Sequence, residues 1–550
     1  MNPTNKFLSE RYEKYEIEDE LSSKIKALKR ENKQLKKEVK RVKKQNDHFK
    51  SSKAYKLWKF YSNLDNQKDG TKSKTKNLKD IKVALISDQF TYDSFKYEFN
   101  IVSLDPKKWK KQFASEKPDI FFCESAWEGH NFKGTAAPWK DLIMKYYDSE
   151  KDNRKILLDI LDYCRKNNIP TVFWNKEDPV HYKTERYSFA ETAKEFDYIF
   201  TSAAECVERY EKDFNHPNVH VLMFAGQPKM FNPLNLSDET IDEVVFAGSY
   251  YRFHPHRTKL MDYIFDKLIE NGQDLLIYDG QYYFDRNDYP ERYQKYTVPT
   301  VKFKEIPNIY KKMKWGLNFN IVVDSQSMFA RRVFELSLSY VNIITNYSPG
   351  IEKIFADNVF VFDKGGDLPD FNEDYDEKRL NNLYNVLQNH TYTARWKQIL
   401  DTIGFEYRES KRDISIIFKL QDIEELEGII TQFNSIDYDE KLLKIIIGDD
   451  CDVDVDEIMA KYPVIYSMSF KKDKLKIKTQ YFILIDGNVD SSFIKKAILH
   501  YQYLNKRVSI CEGDDKFKLG IENTIENKII SKVNRKYLNT SDSEIVVYYI

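Results

Sequence analysis

From residue 81 onward the chain alternates short, nearly unbroken apolar runs with longer stretches of helical apolar period. A run that is apolar on both faces belongs to a strand covered on both sides, so this rhythm points to parallel α/β layers. Candidate strands before residue 226 are "IKVALIS", "DIFFCES", "TVFWNK", "YIFTSA" and "VHVLMF". A second series follows, "EVVFAGS", "DLLIYDG", "WGLNFNIV", "VNIITN" and "NVFVFD", and a third begins after "YRESKRD" with "ISIIFKLQD", "LLKIIIGDD" and "YFILIDGN". A chain of 550 residues exceeds what one core organises. The expected α/β architecture is two tandem Rossmann-like domains, residues 80–235 and 236–408, divided near "GQPKMFNPLN", with a ligand cleft between them at the carboxyl ends of the strands. The helical stretch around "RWKQILDTI" is expected to close the second half, and residues 409–550 to form a separate small α/β domain.

Ahead of these domains, Leu21, Ile25, Leu28, Asn32, Leu35, Val39, Val42 and Asn46 alternate steps of four and three, the apolar seam of a coiled coil. Asn32 and Asn46 occupy the same heptad position, which favours two parallel strands and hence a homodimer through residues 1–63; a single solvated helix is the alternative. Over residues 24–61 Lys and Arg outnumber acids and then interleave with Tyr55, Trp58 and Phe60, a mixture suited to the surface of an anionic membrane or, equally, to an ordinary docking helix. Residues 64–79 are polar without an apolar period and are expected to be a linker. No apolar run reaches membrane-span length and no signal segment opens the chain, so the expected compartment is the cytoplasm, at the inner face of the membrane if residues 24–61 bind it.

Basic and acidic residues balance at 87 each, which removes any global field for nucleic acid, and no base-reading motif is present. The five cysteines are scattered without zinc-binding spacing and are expected to be reduced core thiols; no metal site is expected.

Chemistry concentrates where strands end. In "EVVFAGSYYRFHPHRTKL", Gly248, Ser249 and Tyr250 follow a strand and precede a helix carrying Arg257, so backbone N–H groups could approach a phosphate there; the same turn occurs with no ligand role. After "WGLNFNIV", a helix starting in the N-cap types Asp324, Ser325 and Ser327 would put Arg331, Arg332 and Glu335 on neighbouring faces. Arginines at a helix start can hold a diphosphate and a deeper carboxylate can accept from ribose hydroxyls, whereas an Arg–Glu pair on a solvated face is the structural alternative. In the first half Glu177, Asp178 and His181 cluster in "WNKEDPVH", Glu124 sits in "CESAWEG", and Asp88 and Thr91 in "SDQFT". Such groups at a cleft bind sugar hydroxyls or do acid–base work, or else cap turns.

Taken in order, "SDQFT", "PDIFFCESAWEG", "IPTVFWNKEDPVH", "FDYIFTS", "FAGQPKMFNP", "FAGSYYRFHPHR", "LNFNIVVDSQSMFARRVFEL" and "ITNYSPGI" resemble bacterial CgeB-type glycosyltransferases over residues 80–370. The resemblance implies a GT-B fold, with a nucleotide-sugar donor held by the second domain and the acceptor by the first. In related retaining families a helix carries two glutamates eight positions apart. The second corresponds here to Glu335, a ribose contact, and the first to Ser327, a departure from the pattern. The donor-binding set implied is Gly248, Ser249, Tyr250, Arg257, Asn320, Ser327, Arg331, Arg332 and Glu335, with Glu177, Asp178 and His181 orienting the acceptor or handling its proton. More faintly, residues 409–550 are similar to the start of a GT-A glycosyltransferase, but where a metal-binding D-x-D is expected the chain reads Asp486, Gly487, Asn488.

The expectation is therefore an enzyme that moves a sugar from a nucleoside-diphosphate sugar, UDP-linked, to a glycan or polymeric cell-envelope acceptor, with no further cofactor. A non-catalytic glycan-binding scaffold on the same fold is the competing expectation.

Overall fold

The computed structural model describes residues 75–132, 134–149, 151–283, 288–364, 368–470, 475–539 and 544–550. The coiled-coil and basic, aromatic segments lie outside the described residues. The first unit is built on an all-parallel six-stranded sheet of β1 (Lys82–Ile86), β2 (Asn100–Ser103), β3 (Ile120–Glu124), β4 (Thr171–Asn175), β5 (Tyr198–Thr201) and β6 (Val219–Val221), ordered β2-β1-β3-β4-β5-β6. Every residue of β3 and β4 is buried, as runs covered by helices on both faces require.

The second unit has β7 (Ile241–Ala247), β8 (Leu275–Asp279), β9 (Thr297–Pro299), β10 (Met313–Asn318), β11 (Asn342–Thr345) and β12 (Phe360–Val361). Their order, β9-β8-β7-β10-β11-β12, is parallel throughout and reverses between β7 and β10. That reversal opens a crevice at the strands' carboxyl ends, where the helices α1 (Pro255–Glu270) and α2 (Arg332–Leu338) begin.

The helix α4 (Tyr392–Thr402) follows α3 (Asp376–Asn389), and it does not close the second unit as the sequence suggested. Its apolar face, Tyr392, Trp396, Ile399 and Leu400, enters the core under β1, β3 and β4, with Trp396 4.6 Å from Phe99 and Tyr392 4.9 Å from Phe95. Beyond it, Tyr407–Arg408 pairs in parallel with Lys76–Asn77, so the two ends of the paired units are tied together.

The third unit carries β13 (Ile414–Leu420), β14 (Lys441–Ile447), β15 (Ile465–Ser469) and β16 (Tyr481–Ile485) in the parallel order β15-β14-β13-β16, extended by the antiparallel β18 (Ile530–Ser531). A three-stranded sheet of β17 (Ser509–Cys511), β19 (Ile545–Tyr549) and Leu519–Glu522 lies beside it. Its core runs without interruption into that of the second unit through α3, where Gln502 donates to the Leu387 carbonyl (2.6 Å) and Tyr340 packs on Phe517 (4.8 Å). Asp449, Asp450 and Asp486 lie exposed at strand ends. All five cysteines are buried free thiols, and no described helix is long and apolar enough to cross a membrane.

Because Trp396 is fully buried in the first unit's core, Trp396→Ala should cost about 3–5 kcal/mol in chemical denaturation, through lost transfer energy and the cavity left behind. Were α4 a cover for the second unit only, the same change would leave the near-ultraviolet signal of the Phe95–Phe99–Trp174 cluster untouched; it is expected to alter it.

Candidate functional site

On the second unit, β7 ends at Ala247 and the chain turns at Gly248 because nothing larger fits: a Cβ there would lie 2.6 Å from the Phe246 ring and 3.2 Å from an Arg332 nitrogen. Gly280, after β8, is confined likewise by the Ser249 hydroxyl at 2.7 Å. Into the space these glycines leave come two guanidinium groups, Arg257 and Arg332, 5.9 and 5.0 Å from the Phe246 ring centre. Arg257 donates to the Ser249 carbonyl (2.9 Å) and Arg332 to the Ala247 carbonyl. Neither has a carboxylate partner among the described residues. Burial, then the neighbouring Arg332 charge, push Arg257 down to about 10. Arg257 is thus buried and Arg332 half-buried at a glycine-lined strand end, an arrangement with the charge and hydrogen-bond donors to meet an anion. Tyr250 does not face this space: its hydroxyl donates to Asp262 (2.9 Å).

The segment between β10 and α2 departs from expectation. The helix starts at Arg332, not at Ser325 to Ser327, although the Ser325 hydroxyl accepts from the Ser327 (3.3 Å) and Met328 (2.9 Å) N–H groups as a cap would. Ser325 donates to Glu205 (2.9 Å), and Ser327 donates to the Ser202 carbonyl (2.9 Å) while accepting from the Ala204 N–H (2.8 Å). Arg331 is likewise not free for a phosphate. Its guanidinium stacks 3.7 Å over Phe90 of the first unit and its Nε donates to Glu335 (2.8 Å). Glu335, 5 % exposed, thus gives one carboxylate oxygen to Arg331; the other has no partner among the described residues. Asn320 is fully buried and binds backbone, accepting from the Ala330 N–H (2.9 Å) and donating to the Asn346 carbonyl (3.0 Å), so it positions the arginine loop and does not line the cleft.

On the first unit, His181 sits after β4, its Nδ1 paired with the Tyr187 hydroxyl (2.8 Å) and its ring edge-on to Trp127 at 5.1 Å. Its Nε2 has no partner among the described residues. Burial lowers its pKa against the opposing pull of Glu177, and it is near enough to His254 of the second unit to influence that group's titration. Asp178, by contrast, is fully buried away from the cleft, accepting from Asn175 (2.7 Å), Thr201 (2.7 Å) and Tyr210 (3.2 Å); burial raises it to about 7. Its role is to hold the turn that presents His181.

The residue that sequence reading passed over is Lys176. Almost buried, its ammonium lies 3.1 Å from Asp88, 3.6 Å from Glu124 and 3.5 Å from Glu177. Asp88 also accepts from the Trp127, Glu128 and Gly129 N–H groups at 2.9–3.0 Å, and Glu124 from the Asp88 N–H and the Thr91 hydroxyl. Burial raises Glu124 to about 7, while the Lys176 charge and three N–H groups bring Asp88 below its ordinary value although burial opposes them. A lysine beside "EDPVH" carries no distinctive spacing; only the convergence of three strand ends reveals it. Among the described residues no group of His, Cys, Asp or Glu is placed to hold a metal ion.

Residues 264–401 match a family model described as "Glycosyl transferase-like", a span that includes Arg331, Arg332 and Glu335. No curated protein matches the chain. Similar solved structures include an alpha-glucosyltransferase in complex with UDP and DNA (12 % identity, 59 % of this chain and 99 % of that one, TM-score 0.38) and the catalytic domain of starch synthase IV from Arabidopsis thaliana (11 %, 54 % and 75 %, 0.33). A lipopolysaccharide outer core galactosyltransferase, WaaB, is a third (11 %, 59 % and 99 %, 0.32).

Because Glu124 binds a proton more tightly folded than unfolded, it favours the native state at low pH and loses that contribution as pH rises through about 7. Lys176→Met, which strands three carboxylates, should therefore cost about 3–5 kcal/mol at pH 8 and clearly less at pH 6, measured by urea denaturation of both proteins at each pH.

Proposed function

We propose that this protein is a glycosyltransferase that moves a sugar from a nucleoside-diphosphate sugar, UDP-linked, to a cell-envelope acceptor such as a teichoic-acid-like polymer, a surface glycan or a surface protein. The observation that carries the reading is the pairing of buried Arg257 with half-buried Arg332, neither with a carboxylate partner among the described residues, at the glycine-lined end of β7. A diphosphate supplies the missing negative charge, and as the glycosidic C–O bond breaks its oxygen gains the electron pair, which these fixed cations stabilise. The acceptor hydroxyl attacks the anomeric carbon and its proton passes to His181 Nε2, the unpaired nitrogen opposite. The family match over residues 264–401 supports the same class of reaction.

Within this reading the free carboxylate oxygen of Glu335 receives a ribose hydroxyl, and Arg331, bound to the other oxygen, orients it. Ser327 stands where related families carry a sugar-binding glutamate and spends its hydroxyl on the first unit. That observation favours the second reading, a non-catalytic glycan-binding scaffold. The N-terminal segment would pair two copies and rest on an anionic membrane from the cytoplasmic side. The third unit would serve contacts with partners or polymer.

Millimolar UDP should raise the thermal midpoint of the wild type by mass action, and Arg332→Gln should weaken UDP binding at least tenfold while moving the ligand-free midpoint little. Release of UDP from a UDP-sugar separates enzyme from scaffold: a scaffold binds and releases none. With His181 as base, turnover should rise with pH through an apparent value below 6.5, since burial keeps its ring neutral to lower pH; His181→Gln should abolish that limb and lower kcat by about 10²-fold or more.

A further inference from the structure

Away from the cleft, a groove of about 730 Å³ runs where all three units meet, between Lys76–Asn77 and its following turn, α4, and the helix Phe493–His500 with the loop after it. Seven lysines and arginines line it against two acids, Asp80 and Glu409, in a chain whose total charge is zero. Lys397 answers Glu409 at 2.6 Å, so one acid is already neutralised. Lys79, Lys411 and Arg412 are exposed and have no ion-pair partner among the described residues, and Lys229, Arg408 and Lys506 stand exposed around them. Such a surplus is not a by-product of composition; it is a local field, deepened by concave walls. Asn77, Thr393, Ser410 and Gln502 add neutral hydrogen-bonding groups between the charges.

From this geometry we infer that the groove binds a linear polyanion, a phosphodiester-linked polyol or glycan chain, at a site separate from the donor cleft. A planar membrane cannot follow a concave channel walled by three units. Single-stranded nucleic acid needs ring faces for its bases. The groove's rings, Tyr481 and Tyr501, stack on each other at 4.8 Å and are only 5 % and 9 % exposed. The adjoining recess of about 380 Å³ sets Asp437, Asp439 and Glu440 against Lys495 and shares Lys397, Glu409 and Arg412 with the groove, so the positive surplus lies in the groove itself. The inference goes beyond sugar transfer and stands whether the cleft is catalytic or not.

The test uses the full chain and a fluorescently labelled poly(glycerol phosphate) of about ten repeats, read by anisotropy. Wild type should bind, with log affinity falling against log salt at a slope of about −2, as roughly three released counterions require. Lys411→Glu with Arg412→Glu should weaken binding at least tenfold and leave the UDP-induced thermal shift unchanged, and Lys506→Glu alone should weaken it severalfold. Absence of binding at low salt, or affinity within twofold of wild type in the double variant, overturns the inference. So does tighter binding of a single-stranded deoxyoligonucleotide of equal charge, which would assign the groove to nucleic acid. Should the double variant unfold, Lys506→Glu and the salt slope decide.

Discussion

The second unit holds one buried cation, Arg257, close enough to the half-buried Arg332 to feel its charge, and the residues around them are arranged to make that tolerable. The fall of Arg257 from 12.5 to about 10 corresponds to roughly 3 kcal/mol of destabilised charge. The protein offsets this only in part, with two carbonyl oxygens and the face of Phe246. An apolar pair would remove the penalty outright. What arginines retain over an apolar pair is a planar, bidentate grip on an incoming phosphate. Gly248 and Gly280 follow from the same close packing, since a Cβ at the first would strike the Phe246 ring and crowd Arg332, and at the second would strike the Ser249 hydroxyl.

Opposite this pair the first unit is held in register by contacts of another kind. Ser325, Ser327 and Arg331 all bind the first unit, two through hydroxyls and one by stacking on Phe90. Short polar bonds and one cation–π contact contribute about 1 kcal/mol each, against the continuous aromatic core that α4 makes beneath the same unit. The two halves are therefore joined firmly at α4 and lightly at the cleft mouth, the distribution expected of a hinge and the lips it opens.

Much of this was legible in the sequence. Apolar runs located ten of the twelve strands of the first two parallel sheets, missing β2 and β9, and the Gly-Ser turn ahead of Arg257 follows β7 as the sequence placed it. Other assignments failed for reasons that spacing cannot encode. Asp178 and His181 stand three apart in one loop, yet one is sealed under Thr201 and Tyr210 and the other faces outward. Ser325 and Ser327 have the chemistry of helix caps, and Ser325 does accept from the Met328 N–H, yet both hydroxyls also reach partners more than 100 residues away and the helix begins only at Arg332. Lys176 acquires meaning only when β1, β3 and β4 bring Asp88, Glu124 and Glu177 around it. Helix α4 reads as amphipathic from its period, but the period does not say which sheet it will cover.

The third unit differs from a tethered module in one physical respect. Its apolar core is continuous with that of the second unit across α3, and His500 lies fully buried against Tyr384 there, driven to about 3 by desolvation. Second and third units therefore behave as one body. The basic groove, however, is walled on one side by that body and on the other by the turn after Lys76–Asn77 and by α4, which belongs to the first unit's core. Any change in the angle between the units would alter its width together with the separation of His181 on the first unit from Arg257 and Arg332 on the second. On the proposed readings, a polyanion in the groove and a diphosphate in the cleft would draw on the same rigid-body coordinate, each adding contacts that exist at only some of its values.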